Sequence, residues 1–115
     1  MRKFIYLLIF GVLSATTICA AERSAEELLT QCTSTDSEVF KLACASYMHG
    51  FGDAVAVLAS IDSASSRVCL PKDGISADQL RRIVVKWLED HPKELHAPAS
   101  FEVLIALVDA FPCKK

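Results

Sequence analysis

The sequence lacks the residue patterns of known catalytic centres. It contains no His-Glu-x-x-His, no Gly-x-Ser-x-Gly and no glycine-rich loop of the kind that binds phosphate. Its three histidines are His49, His91 and His96, and the last two are separated by a proline and do not share a helical face. These absences argue against hydrolytic and nucleotide chemistry and against a metal or cofactor site. We therefore predict that the protein is not an enzyme and has no catalytic residues.

Clustered positive charge and a long apolar run are also missing. The chain has 12 basic and 14 acidic side chains, and removal of Arg2 and Lys3 with an N-terminal leader leaves a net charge of −4. Nucleic acids and anionic membranes favour clustered lysine and arginine, so neither is a predicted partner of the mature chain. The apolar run from Phe4 to Leu13 is shorter than the ~20 residues that a membrane-spanning helix needs.

Residues 1–21 have the organisation of a secretory signal peptide. Two basic residues come first, the apolar run follows, and Cys19-Ala20-Ala21 resembles a cleavage site. Cleavage after Ala20 or Ala21 would remove Cys19 and leave one domain, residues 22–115. Lipid modification of Cys19 is the alternative, but Ile18 stands where a lipobox has a small residue.

Helix signals dominate the mature chain and strand signals are nearly absent, which predicts an all-α bundle of about four helices. Capping-box sequences begin at Ser24, Thr35 and Ser76, and Pro98 suits the first turn of the last helix. The second helix is expected over roughly Ser37 to Ser60. Apolar spacings of three and four predict three buried stripes. These are Phe40, Cys44, Tyr47, Phe51, Val55 and Leu58; Leu80, Ile83, Val84, Trp87 and Leu88; and Phe101, Leu104, Ile105, Val108 and Phe111.

Four cysteines remain in the mature chain: Cys32, Cys44, Cys69 and Cys113. In an oxidising compartment an even number of thiols is expected to pair, which leaves no free thiol for a cysteine nucleophile. In an up-down bundle, Cys32 and Cys44 would share one end, whereas Cys69 and Cys113 would share the other. The predicted disulfides are therefore Cys32–Cys44 and Cys69–Cys113.

The sequence Gly50-Phe51-Gly52-Asp53 lies inside the second predicted helix rather than after a strand. It is therefore not a nucleotide-binding loop, and its small residues favour a close approach of two helices. Asp53 lies off the main stripe. We interpret it either as a solvated charge or as a structural hydrogen-bonding residue.

Several short motifs occur in an order that resembles a known family. They are Cys44-x-x-Tyr47-x-x-Gly50-x-x-Asp53, Cys69-Leu70-Pro71, Gly74-Ile75-Ser76-Ala77-Asp78-Gln79-Leu80, Val84-Val85-x-Trp87-Leu88, His91-Pro92 and Ala110-Phe111-Pro112-Cys113. Together they resemble the Rap/Tai family of periplasmic immunity proteins. The resemblance implies a helical homodimer in the periplasm that neutralises a peptidoglycan amidase effector of type VI secretion. It assigns structural roles to Tyr47, Gly50, Asp53, Pro71, Ser76 and Pro112.

Two classes of function remain open at this point. The first is an immunity protein that blocks an amidase, and the second is a general periplasmic chaperone, which would need exposed apolar surface. The predicted stripes are expected to be buried, which favours the first class. An inhibitor needs a stiff projecting segment, because ordering a flexible one opposes binding. The connector between the third and fourth helices fits this need, and its candidate partner-binding residues are Glu89, Asp90, His91, Glu94 and His96.

Overall fold

The computed structural model describes residues 22–114 and shows four α-helices. They are α1 (Ala25–Thr33), α2 (Glu38–Ile61), α3 (Ala77–Asp90) and α4 (Ala99–Ala110), with a short 3-10 helix, Pro92–Glu94, between α3 and α4. The only β-type pairings in the described part are two isolated bridges, Ser24 with Pro98 and Val68 with Pro112. The predicted all-α fold is confirmed. The predicted signal peptide lies outside the described residues.

Serine side chains begin the first three helices. Ser24 Oγ accepts a hydrogen bond from Glu27 N at 3.2 Å, and Ser76 Oγ accepts one from Gln79 N at 3.1 Å, as the capping boxes predict. The predicted cap of α2 was wrong, because Ser37 rather than Thr35 accepts from the first turn, at Phe40 N. Thr35 instead donates to Asp36 Oδ1 within the preceding turn.

Helix α3 forms the centre of the core and packs against α1, α2 and α4. Its residues Leu80, Val84 and Leu88 are almost completely buried, while Ile83 and Trp87 are half-buried. The predicted stripe of this helix is therefore confirmed. Burial of each such aliphatic side chain contributes about 1.5–3 kcal/mol.

The predicted face of α4 was wrong in part, since only Val108 and Phe111 of its residues pack against the core, and both are half-buried. The buried side of α4 carries Ala99, Glu102, Val103, Ala106 and Leu107, whereas Phe101 and Leu104, both assigned to the buried stripe, are exposed. The error has a physical cause. Residues 103–108 are six consecutive apolar residues, so spacing alone cannot decide which side of the helix faces the core.

Helix α2 is much less buried than its apolar sequence suggests. Only Cys44, Met48 and Val55 are buried along its 24 residues, and Phe40 and Leu58 from the predicted stripe are exposed. By length and composition alone, α2 could span a membrane. A core helix can pass the same test, and the three buried residues pack in the core of the chain's own domain.

Inside one chain, the predicted close approach of two helices is not found at Gly50. A Cβ atom added at Gly50 would meet no atom within 4 Å, apart from its own helix backbone and chain neighbours. At Gly52 it would lie 3.7 Å from Leu80 Cδ2, an ordinary van der Waals contact. Neither glycine is therefore required by packing inside one chain.

Both predicted disulfides are present. The Cα atoms of Cys32 and Cys44 are 5.1 Å apart and those of Cys69 and Cys113 are 4.9 Å apart. The predicted position of the first pair was wrong, however. Arg81, in the second turn of α3, donates to the carbonyl oxygen of Cys32, so this disulfide lies beside the beginning of α3 rather than its end.

Removal of the α3 cap should destabilise the domain measurably. Ser76→Ala leaves the amide of Gln79 without its acceptor, and we expect a loss of about 1 kcal/mol in the free energy of unfolding. Urea unfolding followed by circular dichroism measures this loss. Ser63→Ala, in an exposed loop, is the control and should change the free energy by less than about 0.5 kcal/mol. Equal midpoints for the two variants would contradict the capping role.

Candidate functional site

The connector that follows α3 is a fixed element rather than a loose loop. The amide of Glu94 donates to His91 O at 3.0 Å, and the amide of Ala97 donates to Glu94 O at 2.9 Å. The beginning of α1 holds it from the other side, because Glu26 N donates to Leu95 O and Ala25 N donates to Ala97 O, both at 2.9 Å. These bonds restrict the backbone, as Pro92 and Pro98 also do.

The structure brings the five predicted partner-binding residues into this one segment. Glu89, Asp90, Glu94 and His96 are exposed, and His91 is half-buried. Asp90 is paired, since its Oδ2 lies 2.8 Å from Lys86 Nζ. Their hydrogen bond raises the pKa of Lys86 and lowers the pKa of Asp90. A small cavity of about 190 Å³ lies along the segment from Asp90 to Glu94.

A buried polar cluster anchors the connector to the core. Trp87 Nε1 donates to Glu102 Oε2 at 3.0 Å, and Glu102 is only 2% exposed. The His91 ring stacks on Trp87 with 3.7 Å between centroids, and its Nδ1 lies 2.7 Å from Trp87 O. Because a carbonyl oxygen only accepts, Nδ1 carries the proton and Nε2 is the acceptor of the neutral ring.

The sequence patterns do not indicate the role of Glu102, and they predict Trp87 only as a core residue. One signal could have revealed the pair. Glu102 is a charged residue in an otherwise apolar stretch of α4, and a buried carboxyl group needs a hydrogen-bond donor. A single-chain sequence does not show which donor the fold supplies.

The residues of the cysteine–tyrosine–glycine–aspartate motif are spread over α2. Tyr47 is half-buried, stacks on Phe51 with centroids 6.2 Å apart, and has the Arg23 guanidinium 5.2 Å from its ring centroid. Burial raises the pKa of Tyr47, while the nearby Arg23 charge opposes this shift. Gly50 and Asp53 are exposed, which fits the solvated interpretation of Asp53.

Pro71, Ser76 and Pro112 occupy turns and ends of elements. Pro71 O accepts from Gly74 N at 2.8 Å in a turn that Gly74 completes with φ 71°, a conformation that favours glycine. Pro112 pairs with Val68 next to the second disulfide. Their structural roles stay a prediction, which these local contacts support.

A groove of about 580 Å³ lies beside the first disulfide. Its charged side chains are already engaged with protein groups. Lys41 pairs with Glu38 at 2.7 Å, and Arg81 pairs with Asp78 at 2.9 Å. The buried Oε1 atom of Gln31, which also lines the groove, has no hydrogen-bond partner.

Within residues 22–114, no group of three His, Cys, Asp or Glu side chains could hold a metal ion. His49 lies on α2, away from the connector that carries His91 and His96. The arrangement of the connector suits the binding of a partner, because a restrained acidic segment joins α3 and α4 beside the half-buried Trp87.

A family model named Rap1a immunity proteins matches residues 24–113, which span α1 to the second disulfide. The chain belongs to the Rap1a immunity protein family. No curated protein and no solved structure matched in the corresponding searches. Members of the Rap1a family are inhibitors without enzymatic activity, so membership confirms that this protein is not an enzyme. It also confirms the resemblance inferred from the ordered motifs and implies a cognate effector as the partner.

The Trp87–Glu102 hydrogen bond should contribute measurably to stability. Trp87→Phe removes the indole donor, and Glu102→Met removes the acceptor while keeping a side chain of similar length. The first change should cost more than the loss of packing alone, because it leaves a buried carboxyl group without this donor, a penalty of about 1–3 kcal/mol.

A double-mutant cycle in urea isolates this bond from the packing change. We expect Trp87→Phe and Glu102→Met to be non-additive by at least about 0.5 kcal/mol, the lower end of coupling between residues in contact. The exposed pair Lys86 and Asp90 serves as the control cycle, since surface ion pairs are worth little. Additive changes at Trp87 and Glu102 would contradict the anchoring role.

Proposed function

We propose that the protein binds and inhibits a peptidoglycan amidase effector of type VI secretion, without performing chemistry itself. The match to the Rap1a immunity family over residues 24–113 carries this proposal. The ordered motifs support the choice of target, because the family that they resemble neutralises amidases of this kind. The effector would be an enzyme that reaches the same compartment as this protein.

The α3–α4 connector is the surface that we propose enters or covers the enzyme's cleft. Its partner-binding residues would be Glu89, Asp90, His91, Glu94 and His96. The three acidic side chains favour a cationic partner, since complementary charge accelerates encounter. The backbone bonds of the connector support this choice, because a restrained segment loses little conformational entropy on binding.

Charge reversal on the connector should weaken effector binding. We expect the triple variant Glu89→Lys, Asp90→Lys and Glu94→Lys to slow association with a cationic amidase by about tenfold at low salt, with a smaller effect at high salt. Association rates measured by biolayer interferometry against an amidase encoded beside this gene would check this. Asp73→Lys, an exposed single reversal in another turn, is the control.

Wild-type rates for the triple variant would place the docking surface elsewhere. Lack of binding by the unmodified protein to any neighbouring amidase would contradict the proposed target instead.

We propose that the protein acts in the periplasm after removal of residues 1–21. The two disulfides support an oxidising compartment, because cytosolic thiols are kept reduced. Intact mass of protein recovered from the periplasm should correspond to a chain that begins at Ala21 or Glu22. A mass that includes residues 1–21 would contradict cleavage.

We also propose that the mature protein is a homodimer. Large aliphatic side chains remain exposed on α2, and association of two copies would remove them from water. Light scattering during size-exclusion chromatography should give twice the mass of one mature chain.

The chaperone alternative gains one observation from the structure. Val39, Leu42 and Ile61 are exposed, and a general chaperone needs apolar surface. Family membership favours the immunity role. Suppression of the aggregation of unrelated unfolded proteins at equimolar concentration would instead favour the chaperone.

A further inference from the structure

We propose that the outer face of α2 is a self-complementary interface, on which a second copy packs its own α2 in antiparallel orientation with Gly50 at the crossing point. The inference rests on the proposed homodimer and names its surface and register. The first observation that supports it is the apolar surface of α2 that remains exposed in the single chain.

The exposed aliphatic surface on this side of α2 is large. Val39, Leu42, Val57 and Ile61 are 74%, 69%, 55% and 76% exposed. The four side chains supply on the order of 450 Å² per copy, which by itself falls within the range of the largest apolar patch on a typical monomer. With the smaller residues between them, two copies would bury roughly 1,200 Å², the lower limit of stable interfaces.

The order of residues on this face is symmetric about Gly50. We define the outer stripe by the positions that share the face at helical spacings of four and three. Val39 and Ile61 are eleven residues from Gly50, Ala43 and Val57 are seven, and Ser46 and Ala54 are four. These seven positions are uncharged, and the nearest charged residue is Asp53, which lies between Leu42 and Ser46 around the helix.

This symmetry is what a twofold antiparallel helix pair requires. In such a pair, a residue that precedes the crossing point contacts the residue that follows it by the same number of positions in the other copy. Val39 would therefore face Ile61 of the second copy, and Ser46 would face Ala54. Apolar side chains would meet at both ends, and small residues would meet at the centre.

Contacts within one chain do not explain why glycine occupies position 50. Glycine inside a helix is about 1 kcal/mol less favourable than alanine. Its φ is not positive, and a Cβ atom there would meet no atom within 4 Å outside its own helix backbone and chain neighbours. A missing Cβ is useful where another backbone approaches closely, and Ser46, Gly50 and Ala54 together would allow two helices to do so.

The same register gives Asp53 a partner. It flanks the outer stripe and is exposed in the single chain. In the antiparallel pair it would lie beside Ser46 and His49 of the second copy, both of which can donate hydrogen bonds. The outer face of α2 is less suited to a membrane, because the polar residues Asp53 and His49 border the stripe. The opposite side of α2 packs against the core of its own domain.

The experiment compares Gly50→Leu with the unmodified mature protein. We expect Gly50→Leu to raise the dimer dissociation constant about a hundredfold in sedimentation equilibrium, because two leucines would separate the crossing helices. The fold should survive, because the site is open in the monomer and leucine is a good helix former, so the thermal unfolding of the diluted monomer should not be lowered. Phe101→Ala, which removes an exposed apolar side chain of α4, is the control and should leave the dimer intact.

The register is tested with one cysteine. In purified protein with both native disulfides formed, Gly50→Cys should form covalent dimers on mild oxidation, because the residue lies on the twofold axis and is paired with its own copy. Ser63→Cys, in an exposed loop, should not.

The outcomes separate the two proposals. An unmodified protein that stays monomeric at all concentrations would overturn the homodimer itself. A dimer that persists in Gly50→Leu, or that is lost in Phe101→Ala, would overturn only its location on α2. Equal binding of both proteins to phospholipid vesicles, without dimers, would make the face a membrane surface and overturn the proposal.

Discussion

The position of α2 depends on the two disulfides. This helix fully buries only Cys44, Met48 and Val55 in its own domain, with Tyr47 and Phe51 partly buried beside them, so its packing face is narrow for a helix of 24 residues. One disulfide fixes Cys44, in its second turn, to α1, and the other fixes Cys69, beyond its end, to the chain after α4. In the loop-entropy model these links contribute roughly 3 and 4 kcal/mol, large terms for a domain with a net stability of about 5–15 kcal/mol.

Because covalent links hold α2 in place, its outer side is free for another use. A helix held only by packing would need a wide apolar stripe toward its own core. In this protein three buried residues, two partly buried aromatic rings and the cross-links hold α2, and aliphatic residues such as Val39 and Ile61 remain on the surface. Because the cross-links help to hold α2, the residues on its outer side are not needed for the stability of the domain.

Sequence patterns predicted most of the fold and failed where amphipathicity was weak. The caps at Ser24 and Ser76, the buried face of α3 and both disulfides followed from local chemistry and spacing. On α3, polar residues separate the apolar ones and only one face can be buried. On α4 the continuous apolar run hides the face, and on α2 apolar residues lie on both the core side and the outer side.

The restraint of the α3–α4 connector could be predicted from the sequence, but its contact with the core could not. The acidic and proline-restricted connector was visible in the sequence, since charge and proline are local properties. Its anchor was not, because the bond between Trp87 and Glu102 joins two helices, and no single-sequence pattern pairs a tryptophan with a carboxyl group in another element. The pairing of Cys32 with Cys44 was correct even though its end of the bundle was not, because their short separation along the chain restricts the choice of partner.

An inhibitor without chemistry must obtain its affinity from shape and charge that exist before binding. The connector that we propose as the docking surface would meet this need, because the stacked ring of His91 and the hydrogen bond of Trp87 restrict the segment during folding rather than during binding. The outer face of α2 lies on a different element and shares no residue with the connector. An effector at the connector and a second copy at α2 would therefore not compete for the same side chains. Two linked connectors would also raise the effective concentration of each for an effector that carries more than one binding site.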